Sequence, residues 1–321
     1  MNLTDTQLRN WDSRRLRVSR SKRETLLKQV ANLIANLEKH IPSSSPFKVV
    51  RFRRAGSLRK ATAIHPRGDT GIDADVAVYL DTTAATDYDL ATMHQTLREI
   101  VRGVYPTKHD SDFQVQPHTL GMQFHASGLA VDLVPLIAIE GEAAEAWMVS
   151  STGARADKTS IPSHLSFVGD LAKADSRYRP LVRMVKTWRN EADLGHELGS
   201  FTIELILAEL QRERGVAPSL EEGLQRFFLY VAQSGLREPI LSGHDAQSQA
   251  GTVIVLDPYN PDNNVTARMT ESERLEIVNS ATAAWEALMT AHHSAGKGET
   301  HELWREVFGS HFTTESEEAA A

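Results

Sequence analysis

Ile72-Asp73-Ala74-Asp75-Val76-Ala77-Val78-Tyr79-Leu80 opens with two carboxylates one residue apart and continues as an apolar run of strand length. Alternate residues of a strand point to the same face, so Asp73 and Asp75 present their carboxylates side by side. Two such groups repel unless a cation, a proton or open water surrounds them. A solvated strand end meets that condition as well as a metal does, and the pair alone does not separate the two readings. A second segment does. Leu129-Ala130-Val131-Asp132-Leu133-Val134-Pro135-Leu136 is apolar except for Asp132, the composition of a strand covered on both faces. A carboxylate there needs a cation, and a neighbouring strand carrying Asp73 and Asp75 would share it. Three carboxylates from adjacent strands make an all-oxygen donor set of the kind magnesium takes, with manganese as the alternative. Two ions about 3.5–4 Å apart would clamp the attacking and leaving oxygens of a phosphoryl transfer.

Gly56-Ser57 lies ahead of Asp73, with fifteen residues between Ser57 and Asp73, and between an expected strand (47–52) and a short helical turn (58–63). Glycine lets the backbone approach a phosphate, and the Ser57 hydroxyl and nearby N–H groups can donate to it. A Gly-Ser pair means little alone and gains meaning from that position. Further on, Lys186 falls on a helix with Val182, Val185 and Trp188, and Ser200 reads as an N-cap followed by Phe201. A lysine and a helix start could clamp a triphosphate, and an aromatic face could stack on a base. Taken alone, the three read more plainly as a surface lysine, an ordinary cap and a core aromatic.

Helical periodicity predicts a long helix over 21–40, ended by Ile41-Pro42, and another over 88–104. Strands are expected over 72–80, 119–125 and 129–139, with Ser127-Gly128 as a hairpin turn. From about residue 160 the pattern turns helical, with helices over 163–173, 178–190, 201–214, 220–233 and 270–292. Asp257-Pro258-Tyr259-Asn260-Pro261-Asp262-Asn263-Asn264 reads as a structural loop, with Asn263 or Asn264 capping the last helix. Residues 1–20 read as polar with few apolar anchors, and the acidic tail 313–321 is expected to be disordered. The fold class is therefore α+β, a mixed-sheet core over 1–160 and a helical lobe over 161–321.

The 321 residues contain no cysteine, which excludes disulfides, thiolate catalysis and cysteine-based zinc sites. No histidine spacing resembles a zinc site, and no run of eighteen apolar residues predicts a membrane span. With no secretory pattern at the N-terminus, a cytoplasmic protein is expected. The net charge of −7 is uneven: residues 1–60 hold fifteen Lys/Arg and four Asp/Glu. That basic surface could meet the phosphates of a nucleotide or of duplex nucleic acid, or be an ordinary solvated helix face.

The ordered set GSLRK, DADVAVYL, AVDLVP, KTW and SFTIEL, with DPYNPDNNV near residue 257 and LWREVFGSHF near residue 303, resembles the CD-NTase family. These are the bacterial relatives of cyclic GMP-AMP synthase and dinucleotide cyclase, kin to the 2′-5′-oligoadenylate synthetases. SGLAVDLVPL, TSIPSHL and SFTIELILAEL look most like its clade C. The resemblance implies a polymerase-β-like nucleotidyltransferase core, a helical lobe like the C-terminal domain of the oligoadenylate synthetases, and an active site in the cleft between them. It implies a cyclic oligonucleotide second messenger of CBASS antiphage defence, for clade C cyclic tri-adenylate from ATP, with two Mg2+ ions. It places the metal-binding aspartates on Asp73, Asp75 and Asp132, the phosphate loop on Gly56 and Ser57, the triphosphate clamp on Lys186 and Ser200, and the base-stacking aromatic on Phe201. A HORMA-domain regulator and an AAA+ remodeller are implied as partners. Two departures stand out: a longer approach, His65 to Gly71, and Ala61 where relatives often have glycine. Nucleotide transfer to a protein or RNA acceptor, or a catalytically silent nucleic-acid-binding module, are the competing readings.

Overall fold

The structure, a computed structural model, describes residues 3–41, 47–66, 71–152, 155–195, 197–245 and 250–314. The Pro42–Pro46 break, residues 67–70 of the approach to Asp73, and residues 315–321 of the acidic tail lie outside the described residues. In chain order the elements begin α1 (Asp5–Trp11), a π-helical stretch (Asp12–Leu16), α2 (Arg20–His40), β1 (Lys48–Arg54), α3 (Gly56–Lys60), β2 (Ile72–Asp81) and α4 (Asp87–Val104). Then come β3 (Phe113–Val115), β4 (Leu120–Phe124), β5 (Leu129–Ala138), β6 (Ala146–Val149) and β7 (Arg155–Thr159). The helices α5 (Ile161–Ala174), α6 (Tyr178–Glu191), α7 (Ser200–Arg214), α8 (Leu220–Ser234), α9 (Glu271–His293) and α10 (Lys297–Phe308) follow. No helix among the described residues is long and apolar enough to cross a membrane.

Chain contacts divide the protein into two compact units, residues 18–167 and residues 1–17 with 168–321. The expected division, a core of 1–160 and a lobe of 161–321, differs at both ends. The second boundary falls inside α5, and the first seventeen residues pack with the C-terminal helices. The cause is a set of anchors hidden in the polar N-terminal sequence. Leu8, Trp11 and Leu16 are buried. Trp11 meets Phe308 and Phe312 edge-on, at centroid distances of 5.1 and 4.8 Å. Asp12 takes both arms of the Arg183 guanidinium, Nε at 2.7 Å and Nη2 at 2.6 Å, and both residues are buried.

In the unit 18–167 the sheet runs β1-β2-β5-β4-β3, with β6 pairing the end of β5 and β7 pairing β6. β2 and β5 are parallel and every other pair is antiparallel. Period-2 alternation gives β2 and β5 two different faces. Ile72, Ala74, Val76, Val78 and Leu80 lie in one core with Leu26, Val30, Leu33 and Leu37 of α2 and Met93, Leu97 and Val101 of α4. The opposite face carries Ala77, Tyr79, Leu136 and Ala146 in a smaller cluster, and Asp73, Asp75 and Asp132 share its parity. α2 starts at the Ser19 cap, whose hydroxyl accepts from Lys22 N. Part of its basic charge is structural: Arg23 donates to the carbonyls of Leu58 (2.7 Å) and Arg59 (3.0 Å), and Lys22 Nζ to that of Ser127 (2.9 Å).

In the other unit, α6 is buried along most of its length, with Trp188 against Phe227 and Phe228. The expected cap of α9 is corrected. Thr270 caps it, with Glu273 completing a reciprocal capping box. Asn264 instead accepts from Val255 N and Thr266 N and donates to the Val253 carbonyl, pinning the loop ahead of the helix.

Candidate active site

The parallel register sets Asp75 opposite Asp132, and Asp73 opposite Ala130. Strand geometry therefore brings Asp73, Asp75 and Asp132 onto one sheet face at adjacent positions of two neighbouring strands. Asp132 is half-buried and faces Gly121 of β4 on its other side. Burial first, then the charges of Asp75 and Asp73, push its carboxyl up to about 6. It accepts no hydrogen bond from the described residues.

Gly56 explains how Asp75 fits. It sits at φ +66°, and a β-carbon there would lie 1.5 Å from Asp75 Oδ2. The carboxylate thus occupies the space a side chain would take, which only glycine leaves open. Ala55 N donates to the Asp75 carbonyl at 2.8 Å, tying the loop to β2. Ser57 lies in the first turn of α3, and its carbonyl accepts from Thr62 N (3.0 Å) and Ala63 N (3.2 Å). Ala61 ends this turn in the left-handed region, φ 61° and ψ 34°.

Farther along the same face of β2, Tyr79 is fully buried, with the Arg51 guanidinium 4.1 Å from its ring centroid. Burial raises the phenol above its ordinary pKa, and Arg51 and Arg53 act against that. The face therefore grades from acidic at Asp73 to basic at Arg51 and Arg53.

Among the described residues, no three histidine or carboxylate side chains are gathered tightly enough to hold an ion as they stand. The strands align the three aspartates without drawing their oxygens together. The donor set still fits a hard divalent ion on its chemistry: oxygen donors alone, and a half-buried carboxylate that accepts no hydrogen bond from the described residues and whose charge two like charges disfavour.

Lys186, Ser200 and Phe201 belong to the other unit. Lys186 is buried in α6, 3% exposed, and so is not a surface lysine. Ser200 is corrected: the cap of α7 is Gly199, and Ser200 is the first helical residue. Its hydroxyl accepts from Arg189 Nη1 at 3.1 Å rather than closing the helix end. Phe201 is half-buried at the start of α7. Two supporting residues carry no signal in the sequence. Gly121 matters only once β4 lies beside Asp132, and Arg23 only once α2 lies over α3.

Residues 1–160 match the family model of the second messenger oligonucleotide or dinucleotide synthetase domain. The chain is 34% identical over 317 residues to the CBASS oligonucleotide cyclase CdnC of Escherichia coli (strain KTE188), covering 98% of this chain and 99% of that protein. It is 31% identical over 300 residues to the cyclic AMP-AMP-AMP synthase of E. coli (strain MS 115-1), covering 91% and 92%. Two solved structures of E. coli MS115-1 CdnC superpose with a TM-score of 0.82. One holds ATP (29% identity, 97% and 99% covered) and one is a complex with HORMA-deltaN (28% identity, 97% and 98% covered).

Proposed function

The chain belongs to the CD-NTase family, among the CBASS oligonucleotide cyclases, and from that premise we propose that it condenses ATP to cyclic tri-adenylate with release of pyrophosphate. The observation that carries the chemistry is the register of Asp75 against Asp132, with Asp73 on the same face and Gly56 hollowed around Asp75. Support for the nucleotide comes from a relative named cyclic AMP-AMP-AMP synthase and from the CdnC structure with ATP.

Asp73, Asp75 and Asp132 would hold two divalent ions, magnesium or in its place manganese, which supply neutralising charge at the phosphates and acidify the acceptor hydroxyl. The chain's own contribution is positioning and electrostatics. Gly56 leaves the backbone bare for the triphosphate, and the Ser57 hydroxyl donates to it. Lys186 supplies positive charge, Ser200 a further donor and Phe201 a ring face for a base. An acceptor ribose hydroxyl attacks the α-phosphorus and loses its proton to water. The bond to the bridging oxygen breaks, and pyrophosphate leaves with that electron pair. Repetition and ring closure give the cyclic product.

A HORMA-domain regulator is the proposed partner, supported by the CdnC complex with HORMA-deltaN. An AAA+ remodeller rests on the family resemblance alone. Duplex nucleic acid on the basic N-terminal face has weaker support, because Lys22 and Arg23 already donate to backbone carbonyls.

Mass spectrometry of the product formed from all four nucleoside triphosphates with Mg2+ tests the proposal, and a ring of three adenylates is expected. The Asp73→Asn/Asp75→Asn double variant should lose about 10³-fold or more in pyrophosphate release, the scale seen when preorganised electrostatic groups are removed. Release at the parent rate would falsify the assignment of the site. Label from ATP appearing in a protein or RNA, instead of a phosphatase-resistant small product, would favour the acceptor-transfer reading.

A further inference from the structure

Asp132 has a neutral neighbour that the family motifs do not include. The turn between β3 and β4 is Gln116-Pro117-His118-Thr119. Gln116 N donates to the Thr119 carbonyl at 2.8 Å, and Ser151 N holds the Pro117 carbonyl at 2.6 Å. The turn is thus tied both across itself and to the chain after β6. In this hairpin Gln114 pairs with Gly121, and Gly121 pairs in turn with Asp132. Gln116, two residues beyond Gln114, shares its parity, so it projects from the same sheet face as the carboxylates. A β-carbon on Gly121 would lie 3.2 Å from Asp132 Oδ1 and 3.5 Å from Gln116 Nε2. The carboxylate oxygen and the amide nitrogen therefore both border the space that a side chain at position 121 would fill. The side chain of Gln116 donates to no other described residue, and Asp132 accepts from none.

We propose that Gln116 is a positioning residue for Asp132: when the site takes up its divalent ion, the carboxamide turns into the space left by Gly121, Nε2 donates to Asp132 Oδ1, and that bond fixes the rotamer in which the carboxylate serves the reaction. The proposal rests on the assignment of Asp132 as a metal-binding aspartate. An amide suits the task because it supplies donors and no charge. A lysine there would compete with a cation, and a glutamate would add a further like charge. Orienting groups behind ligating carboxylates commonly govern a site's affinity for its ion. Glycine at 121 is part of the same device, since a side chain there would fill the space through which the two groups meet.

The test measures Mn2+ affinity by electron paramagnetic resonance on the full-length chain, alongside pyrophosphate release. Gln116→Ala should weaken Mn2+ binding about 10-fold, the lower end of the range for lost orienting partners, and should lower kcat with little change in the KM for ATP. Gly121→Ala should do the same, and the double variant should be no worse than either single variant, because both remove one contact. Gln116→Glu should lose the orienting donor and lower kcat further. Circular dichroism of each variant should match the parent. A Mn2+ affinity for Gln116→Ala within twofold of the parent overturns the proposal, whatever the parent's turnover. Additive losses in the double variant overturn it as well. Failure of the proposed function reads differently: the parent chain would bind Mn2+ and yet produce no cyclic nucleotide.

Discussion

At the scale of single residues, the site is built from charges held where the fold alone disfavours them. Asp132 is the clearest case. Burial, and after it the charges of Asp75 and Asp73, push its carboxyl up to about 6. In an unfolded chain an aspartate titrates near ~3.9. The folded state therefore binds the proton more tightly, and the stabilisation this brings is complete below about pH 4 and lost as pH rises to about 6. Above that, ionised Asp132 costs the metal-free protein about 2 kcal/mol, discounted for partial solvent access. Asp132→Asn should therefore melt higher than the parent in EDTA at pH 7.5, and the difference should shrink toward zero at pH 4. Added Mg2+ should reverse the order, since only the parent gains a ligand that binds the folded state. Equal melting temperatures at pH 7.5 in EDTA would mean that the carboxylate is not strained by its surroundings.

At the scale of elements, the Gly56–Ala61 segment proposed to hold phosphate is fastened by conformations that its sequence only partly favours. Gly56 has the positive φ that glycine allows, but Ala61 ends α3 in the left-handed region with a β-carbon. That conformation costs a non-glycine residue roughly 1–2 kcal/mol. Ala61→Gly should stabilise the chain by about 0.5–1 kcal/mol, net of glycine's greater unfolded-state freedom, seen as a higher urea midpoint at unchanged slope. A lower midpoint would mean that the Ala61 methyl makes contacts worth more than the strain. The elements legible in the sequence are those whose pattern is self-sufficient. β2 and β5 announce themselves because a carboxylate interrupts an apolar run, and α2 and α4 because apolar residues recur at helical spacing. β6 and β7 do not, because four- and five-residue strands take their meaning from the end of β5. α1 escapes notice because its two buried residues, Leu8 and Trp11, are too few to set a period. For the candidate site, the shared face of Asp73 and Asp75 and the isolation of Asp132 in an apolar strand are legible in the sequence, whereas the placing of Gly121, Gln116 and Arg23 depends on neighbours distant in sequence.

At the scale of the whole molecule, the first seventeen residues tie the two ends of the chain into one unit. Asp12 and Arg183 form a buried bidentate pair, and Trp11 lies against the aromatic cluster of Phe308 and Phe312. Leu3 N donates to buried Glu221, and Asp5 accepts from Leu220 N. Removing one partner of such an ion pair leaves the other charged and uncompensated in the interior, at a cost of about 3–5 kcal/mol, whereas replacing both with apolar groups can be nearly neutral. Asp12→Ala should therefore destabilise the unit formed by residues 1–17 and 168–321, and Asp12→Leu/Arg183→Met should recover much of the loss. Hydrogen exchange locates the effect: protection should fall in α6, α8 and α10 and persist in β2 and β5, since the sheet keeps its own core with α2 and α4. Loss of protection beginning in β2 and β5 would show that the N-terminal segment supports the sheet bearing the three aspartates instead, and the division of the chain at residue 17 would have to be abandoned.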